Sequence, residues 1–288
     1  MKEKKIPCYG VLGFFIIVFA QFLLILKGDV FSKLYFLLIW VGYILFIDGL
    51  VYRFRGNSLI KNNLRDFIGL FVSSMFFWWV FEFISKCVQG WKYVRVYDFP
   101  QVQYLILSSL VFSTVLPAMF ETTNLIGSLT TFKFKTKKLK PNRCLLYLLV
   151  ILGIVSFLIP ILKPEFTFPL IWISLFLIID PINYLKKQVS VIGDLSESKW
   201  EIPLSLLISG VICGFFWELW NYWSYTKWLK NVPFFDFYRI FNISPLGYVF
   251  YFFFTWELFA MYHFIRYSWK RCSSIISNFI KKVIPKSK

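Results

Sequence analysis

The chain has 288 residues, 58% of them hydrophobic and 22% aromatic, with a mean hydropathy of +0.64, more apolar surface than a soluble domain of this length can hide. Its net charge of +17 comes from bases spread between apolar runs rather than gathered on one face, which argues against nucleic acid as a partner. Five scattered cysteines without C-x-x-C spacing and a single histidine argue against a disulfide framework and a histidine-rich metal site, and no cofactor is implied.

Taken in order, Lys2, Lys4 and Lys5 precede a first apolar run, 9–26, that is longer than the core of a signal peptide and lacks a small-x-small cleavage site, so it reads as retained. Further runs at 31–52, 67–85, 104–128, 144–162, 166–184, 202–222 and 247–267 predict an all-α polytopic membrane protein of about eight transmembrane helices. Pro160, Pro164 and Pro181 fall near span ends, where proline is tolerated. With the N-terminus inside, most of the 32 Lys and Arg residues fall on the cytoplasmic side, including the cluster Lys133, Lys135, Lys137, Lys138, Lys140 and Arg143. Both termini are therefore expected in the cytoplasm of a bacterial-type inner membrane. The tail, 273–284, spaces Ile276, Phe279, Ile280 and Val283 helically among Ser and Lys, as an amphipathic helix on the inner leaflet would, a plain disordered tail being the alternative.

The sequence also echoes itself. L-I-W-V-G-Y-I-L-F-I-D-G at 38–49 matches L-I-W-I-S-L-F-L-I-I-D-P at 170–181, an offset of 132 that aligns Trp40, Asp48 and Tyr52 with Trp172, Asp180 and Tyr184. F-F-W-W-V-F-E-F-I-S-K at 76–86 echoes F-F-W-E-L-W-N-Y-W at 215–223; an offset of 136 aligns Glu82 with Glu218 and Glu121 with Glu257, and an insertion in the loop 188–199 accounts for the change. Four helices per copy is an even number, so the copies are expected to be parallel repeats about an axis along the membrane normal, with the functional cavity between them. The expected organisation is a first repeat at 1–130, a basic cytoplasmic linker at 131–143, a second repeat at 144–268 and a basic tail at 269–288.

Six of the acids, Asp48, Glu82, Glu121, Asp180, Glu218 and Glu257, lie inside predicted spans and are functional candidates by default. Asp48, with Tyr52 and Arg55 on its face, and Asp180, with Asn183, Tyr184 and Lys187, read as anchors near the cytoplasmic end whose cations snorkel outward. Glu218 is the stronger candidate: Gly210, Gly214, Glu218 and Tyr222 recur every four residues, so a face without bulk leads to an acid, and Asn221 lies one helical step from Tyr222. The expected roles are Glu218 as acid or base, Asn221 and Tyr222 orienting it, and Glu257 as a second carboxylate. Glu121 sits among Ser113, Thr114, Asn124 and Ser128, with Pro117 opening the backbone one turn earlier. Gly210, Gly214, Trp217 and Trp228 are expected to contact substrate. In the first copy the bulk of Trp78 fills the corresponding groove and Lys86 is placed to pair with Glu82. The tryptophans near the outer ends, among them Trp78, Trp91, Trp217, Trp223 and Trp228, have two readings, an interfacial belt or the lining of a hydrophobic cavity. His263 reads as an interfacial histidine.

No D-D-x-x-D run, G-x-x-x-x-G-K-[ST], H-E-x-x-H or serine elbow is present, which argues against prenyl transfer on diphosphates, ATP-driven transport and intramembrane proteolysis. The expectation is a membrane protein that binds or modifies a hydrophobic small molecule of lipid or isoprenoid type, with membrane lipid as its surroundings. A proton- or cation-coupled carrier and a structural or assembly protein are the alternatives.

At 244–254, S-P-L-G-Y-V-F-Y-F-F-F with Trp228 upstream resembles the lycopene cyclases built from small membrane repeats, in Pro245, Leu246 and the aromatic run Phe252, Phe253 and Phe254. Gly247 and Tyr248 stand where that family's paired glutamates, the expected proton donors, would be, which argues against cyclase activity. W-E-L-W-N-Y-W is also similar to uncharacterised bacterial polytopic membrane proteins.

Overall fold

Within lipid no water meets the backbone, so an apolar run of span length satisfies its N–H and C=O groups by becoming a helix. The computed structural model describes residues 4–26, 29–88, 90–132, 134, 136–138, 140–230 and 238–283. In chain order the helices are α1 (Cys8–Leu26), α2 (Asp29–Arg55), α3 (Leu59–Asn62), α4 (Leu64–Val88), α5 (Gln101–Ser113), α6 (Val115–Leu129), α7 (Arg143–Leu162), α8 (Pro164–Thr167), α9 (Ile171–Leu185), α10 (Val191–Ser196), α11 (Glu201–Trp223) and α12 (Pro245–Val283). Two strands, β1 (Trp91–Val94) and β2 (Lys227–Lys230), follow α4 and α11.

Among the described residues six helices are long and apolar enough to cross a membrane, where eight spans were expected. The run 9–26 contributes a shorter apolar helix, Cys8–Leu24, and the run 247–267 forms the first part of α12, which Tyr, Trp and Glu residues make less apolar. Past that run α12 continues unbroken to Val283, so the tail extends the same helix instead of forming a separate one. Ile276 is exposed on it, while the side chains of Phe279, Ile280 and Val283 and residues 284–288 lie outside the described residues.

The run 104–128 divides into α5 and α6 at Thr114. Pro117 has no N–H to offer the Ser113 carbonyl. One residue earlier, the Ser74 hydroxyl of α4 enters the helical ladder: it donates to the Phe112 carbonyl at 2.6 Å and accepts from Leu116 N–H at 3.0 Å. The bend is thus satisfied from within the protein.

Small residues set the helix contacts. Gly13 of α1 lies so close to α2 that an added Cβ would come within 2.8 Å of Phe46 N, the Gly42 carbonyl and Leu45. Gly153 of α7 is seated the same way against Ser174 and Ile178 of α9. These outer helices flank an inner group in which α2 packs on α6, α6 on α11, α11 on α12 and α12 on α9. Trp40 of α2 meets Trp217 of α11 with ring centroids 5.3 Å apart, and Trp172 of α9 meets Phe81 of α4 at 5.5 Å. The strands pair antiparallel, Trp91 opposite Lys230 and Val94 opposite Lys227.

Asp48 and Asp180 are fully buried and are not snorkelling anchors. Asp180 accepts from the N–H groups of Val191 and Ile192 at 3.0 and 2.8 Å. Asp48 accepts from Ile60 N–H at 3.1 Å and from the Tyr9 hydroxyl at 2.6 Å. Each acid holds the start of a short helix, α10 or α3, that Ser190 or Ser58 caps. The basic linker rests on the loop after α10, through Lys138 and Glu197 at 2.8 Å and through Thr136 with Ser198 and Trp200.

Asp180→Ala would leave two backbone donors without an acceptor. A loss of roughly 1–3 kcal/mol is expected, read as a lower melting temperature in detergent. Asp180→Asn, which keeps one acceptor oxygen, should lose distinctly less.

Candidate functional site

Glu218 is buried on α11, with 1% of its side chain exposed. Its Oε1 accepts the Tyr251 hydroxyl at 2.5 Å and Lys230 Nζ at 3.0 Å, and Lys230 Nζ also donates to the Tyr251 hydroxyl at 2.8 Å. The result is a closed triangle of carboxylate, ammonium and phenol, each group satisfying another where water is excluded.

Three elements build this triangle. Lys230 arrives on β2, and Asn221 docks that strand on α11: its amide donates to the Trp228 carbonyl at 2.9 Å and accepts from Trp228 N–H at 3.0 Å. Tyr251 arrives on α12, which comes close because Gly210 and Gly214 have no side chains. A Cβ on Gly210 would collide with the Tyr251 carbonyl, and one on Gly214 with its ring. The small-residue face therefore admits a neighbouring helix and not a ligand.

The other expected roles change accordingly. Asn221 holds β2 and does not orient Glu218. Tyr222 is exposed, and its carbonyl accepts from Lys227 Nζ at 3.0 Å. Glu257 joins α12 to α9 by accepting from Leu175 N–H at 3.2 Å. Glu121 is fully buried on α6, and no hydrogen bond of proper geometry reaches either of its oxygens, although Asp48 and Asn124 lie alongside. The acids expected to act together thus occupy separate places. Lys230 and Tyr251, the actual partners of Glu218, went unanticipated: they lie 12 and 33 residues along the chain, on elements that only strand pairing and helix crossing bring in.

Glu82 is held in a related way on α4. Its Oε1 accepts from the indole N–H groups of Trp78 and Trp91, both at 3.2 Å, and from the Tyr93 hydroxyl at 2.5 Å. Lys86 is exposed and is not its hydrogen-bond partner. Burial, and then the neighbouring Glu82 carboxylate, push the Tyr93 hydroxyl well above the usual phenol range, so it remains a donor.

Between these two carboxylates lies a cavity of about 1400 Å³ of empty space, open solvent at its mouth included. Trp78, Trp91, Trp172, Trp217, Trp228 and Phe254 form much of its wall. Trp91 and Trp172 stack at 5.7 Å with an interplanar angle of 14°. Tyr93, Tyr251 and Lys230, the donors held by Glu82 and Glu218, also face the space, and the 244–254 segment supplies Gly247, Phe250 and Phe254. Of the expected substrate contacts, Trp217 and Trp228 reach the cavity; Gly210 and Gly214 do not line it. The belt reading suits Trp223, which is exposed, while Trp220 packs on Trp40. His263 is partly exposed, with its ring 4.4 Å from that of Phe259.

The architecture is that of an all-α, multi-pass membrane protein whose helices enclose an aromatic cavity. Comparison with protein families, with curated proteins and with solved structures finds no match to this chain.

If Asn221 is a strand clamp, Asn221→Ala should free β2. Hydrogen exchange at the Trp228 amide should then accelerate by at least about tenfold, the loss of a hydrogen-bonded partner. Unchanged exchange would return Asn221 to the list of candidate site residues.

Proposed function

We propose that this protein binds a hydrophobic molecule of lipid or isoprenoid type in the aromatic cavity, and that Tyr251 and Lys230, positioned by Glu218, are the groups that act on it. The observation that carries this reading is the cavity itself: aromatic over most of its wall, and touched by a hydrogen-bonded phenol and ammonium backed by a buried carboxylate. Such a triangle passes a proton between carboxylate, phenol and ammonium without rearranging heavy atoms, which is what acid or base chemistry on a bound substrate requires.

The cavity lies between two parallel four-helix repeats with both termini in the cytoplasm of a bacterial-type inner membrane. Four pairs of observations support the repeats. Asp48 and Asp180 bind the N–H groups of Ile60 and Ile192, 132 residues apart in each case. The contact of Trp40 with Trp217 is matched by that of Trp172 with Phe81. Ser58 and Ser190 cap equivalent short helices. The register of β1 with β2 maps onto itself when the offset of 136 exchanges Trp91 with Lys227 and Val94 with Lys230. Parallel repeats about an axis along the normal place a shared cavity at their interface, and the excess of Lys and Arg in the predicted inner segments supports the orientation.

Purified wild-type protein should carry a specific co-purifying hydrophobic molecule detectable by mass spectrometry. Glu218→Gln, which removes the charge behind Lys230 and Tyr251, should lower its occupancy or alter its chemistry several-fold more than Glu82→Gln. A co-purifying molecule indifferent to both changes and to Trp172→Ala would defeat the reading.

Glu121 favours a second reading, a proton- or cation-coupled carrier. Glu121 is fully buried on a membrane helix and neither of its oxygens has a hydrogen-bond partner, a position that a bound proton or small cation would satisfy. If it is a proton, the infrared spectrum should contain a protonated-carboxyl band that Glu121→Gln lacks. The same band in both proteins would remove the support.

A further inference from the structure

The ionised groups on the cavity wall, among the described residues, are all cations, Lys33 and Lys230, and no carboxylate lines it. They differ in their partners. Lys230 is neutralised by Glu218 behind the wall. Lys33, on the first turns of α2, makes no ion pair with a carboxylate among the described residues and rests on the rings of Phe99 and Tyr225, 4.8 and 5.7 Å from their centroids, with Asp98 accepting the Tyr225 hydroxyl at 2.7 Å. Two further wall groups have no partner among the described residues: the indole Nε1 of Trp228 and the Thr226 hydroxyl are buried from water and make no hydrogen bond. All three residues line the same cavity. The Trp228 ring lies 5.3 Å from Phe36, one helical turn from Lys33, and Thr226 follows Tyr225 directly.

One wall thus carries an ammonium held by aromatic faces, an unpartnered indole N–H and an unpartnered hydroxyl. Buried donors such as the Trp228 indole and the Thr226 hydroxyl are costly without acceptors, so this wall points to a ligand that supplies the oxygens. The same wall disfavours a cationic ligand, although aromatic faces alone would welcome one. Resting on the binding function proposed above, we infer that the ligand is an anionic amphiphile: Lys33, Trp228 and Thr226 hold a head bearing a carboxylate or phosphate monoester, and the chain lies among Trp172, Trp217 and Phe254. A carboxylate presents two acceptor oxygens and a phosphate monoester three, so either head matches the three donors.

Oleate, farnesyl phosphate and their uncharged counterparts, oleyl alcohol and farnesol, can be titrated into the full-length protein in phosphatidylcholine nanodiscs, with tryptophan fluorescence as the readout and empty nanodiscs as the control. At least one anion should bind about tenfold or more tightly than the alcohol of the same chain. Lys33→Gln should abolish that preference without weakening the alcohol, and Lys33→Arg should retain it. Lys33 is partly exposed near a helix start and pairs with no carboxylate among the described residues, so the fold should tolerate both changes. The anion that shows the preference distinguishes a fatty-acid head from an isoprenyl phosphate head. Equal binding of anion and alcohol by the wild type, or a preference that survives both Lys33→Gln and the Thr226→Val, Trp228→Phe double variant, overturns the head-group assignment and leaves the cavity reading standing. If none of the four probes binds, or if binding of all is unchanged in Trp172→Ala, the cavity reading itself falls.

Discussion

A carboxylate inside a membrane helix must find its donors within the protein, and that constraint organises this structure. Water is absent, an unpaired charge is costly, and the helix backbone has already used its own N–H groups. The donors therefore come from elements between the helices. Asp48 and Asp180 take backbone N–H groups from the starts of α3 and α10. Glu82 gathers Trp91 and Tyr93 from β1, and Glu218 gathers Lys230 from β2. Each acid fixes the position of a connection, so the geometry at the helix ends follows from charges placed along the helices.

The same constraint shapes the cavity. Satisfying Glu82 and Glu218 draws both strands inward, where they pair with each other and bring Trp91 and Trp228 over the space between the helices. Tyr251 can reach Glu218 only because Gly210 and Gly214 let α12 approach α11. Most ring contacts of Trp78, Trp172 and Trp217 are edge to face or tilted, as in that of Trp172 with Phe254 at 81°, while Trp172 stacks on Trp91. The cavity is thus apolar in its wall and polar at the few points where the buried acids hold donors against it.

Much of the architecture was legible in the residues. Apolar length alone marks most of the helices, because every span must bury its backbone. Pro117 marked a backbone opening, and the echo of Trp40 and Asp48 in Trp172 and Asp180 pointed to residues that now prove to make matching contacts. The misreadings share one cause. Asp48 and Asp180 were assigned to cations on their own helix faces, Glu82 to Lys86, and Glu218 to Asn221 and Tyr222, since spacing along a helix exposes only local neighbours. The run 247–267, expected as a span, does form the first part of α12, whose Tyr and Trp residues reduce its apolarity although Phe254 and Leu258 are buried in the core.

Composition and periodicity by themselves determined that this is a multi-pass helical membrane protein with acids at buried positions, because transfer free energy depends on residue type and helical pitch alone. What each acid binds was decided only by the tertiary structure. Lys230 and Tyr251 meet Glu218, and Lys33 and Trp228 come to line one cavity, through strand pairing and helix crossing between segments far apart in the chain. Hydrogen bonds and ion pairs act over a few ångströms in space, and distance along the sequence does not encode them.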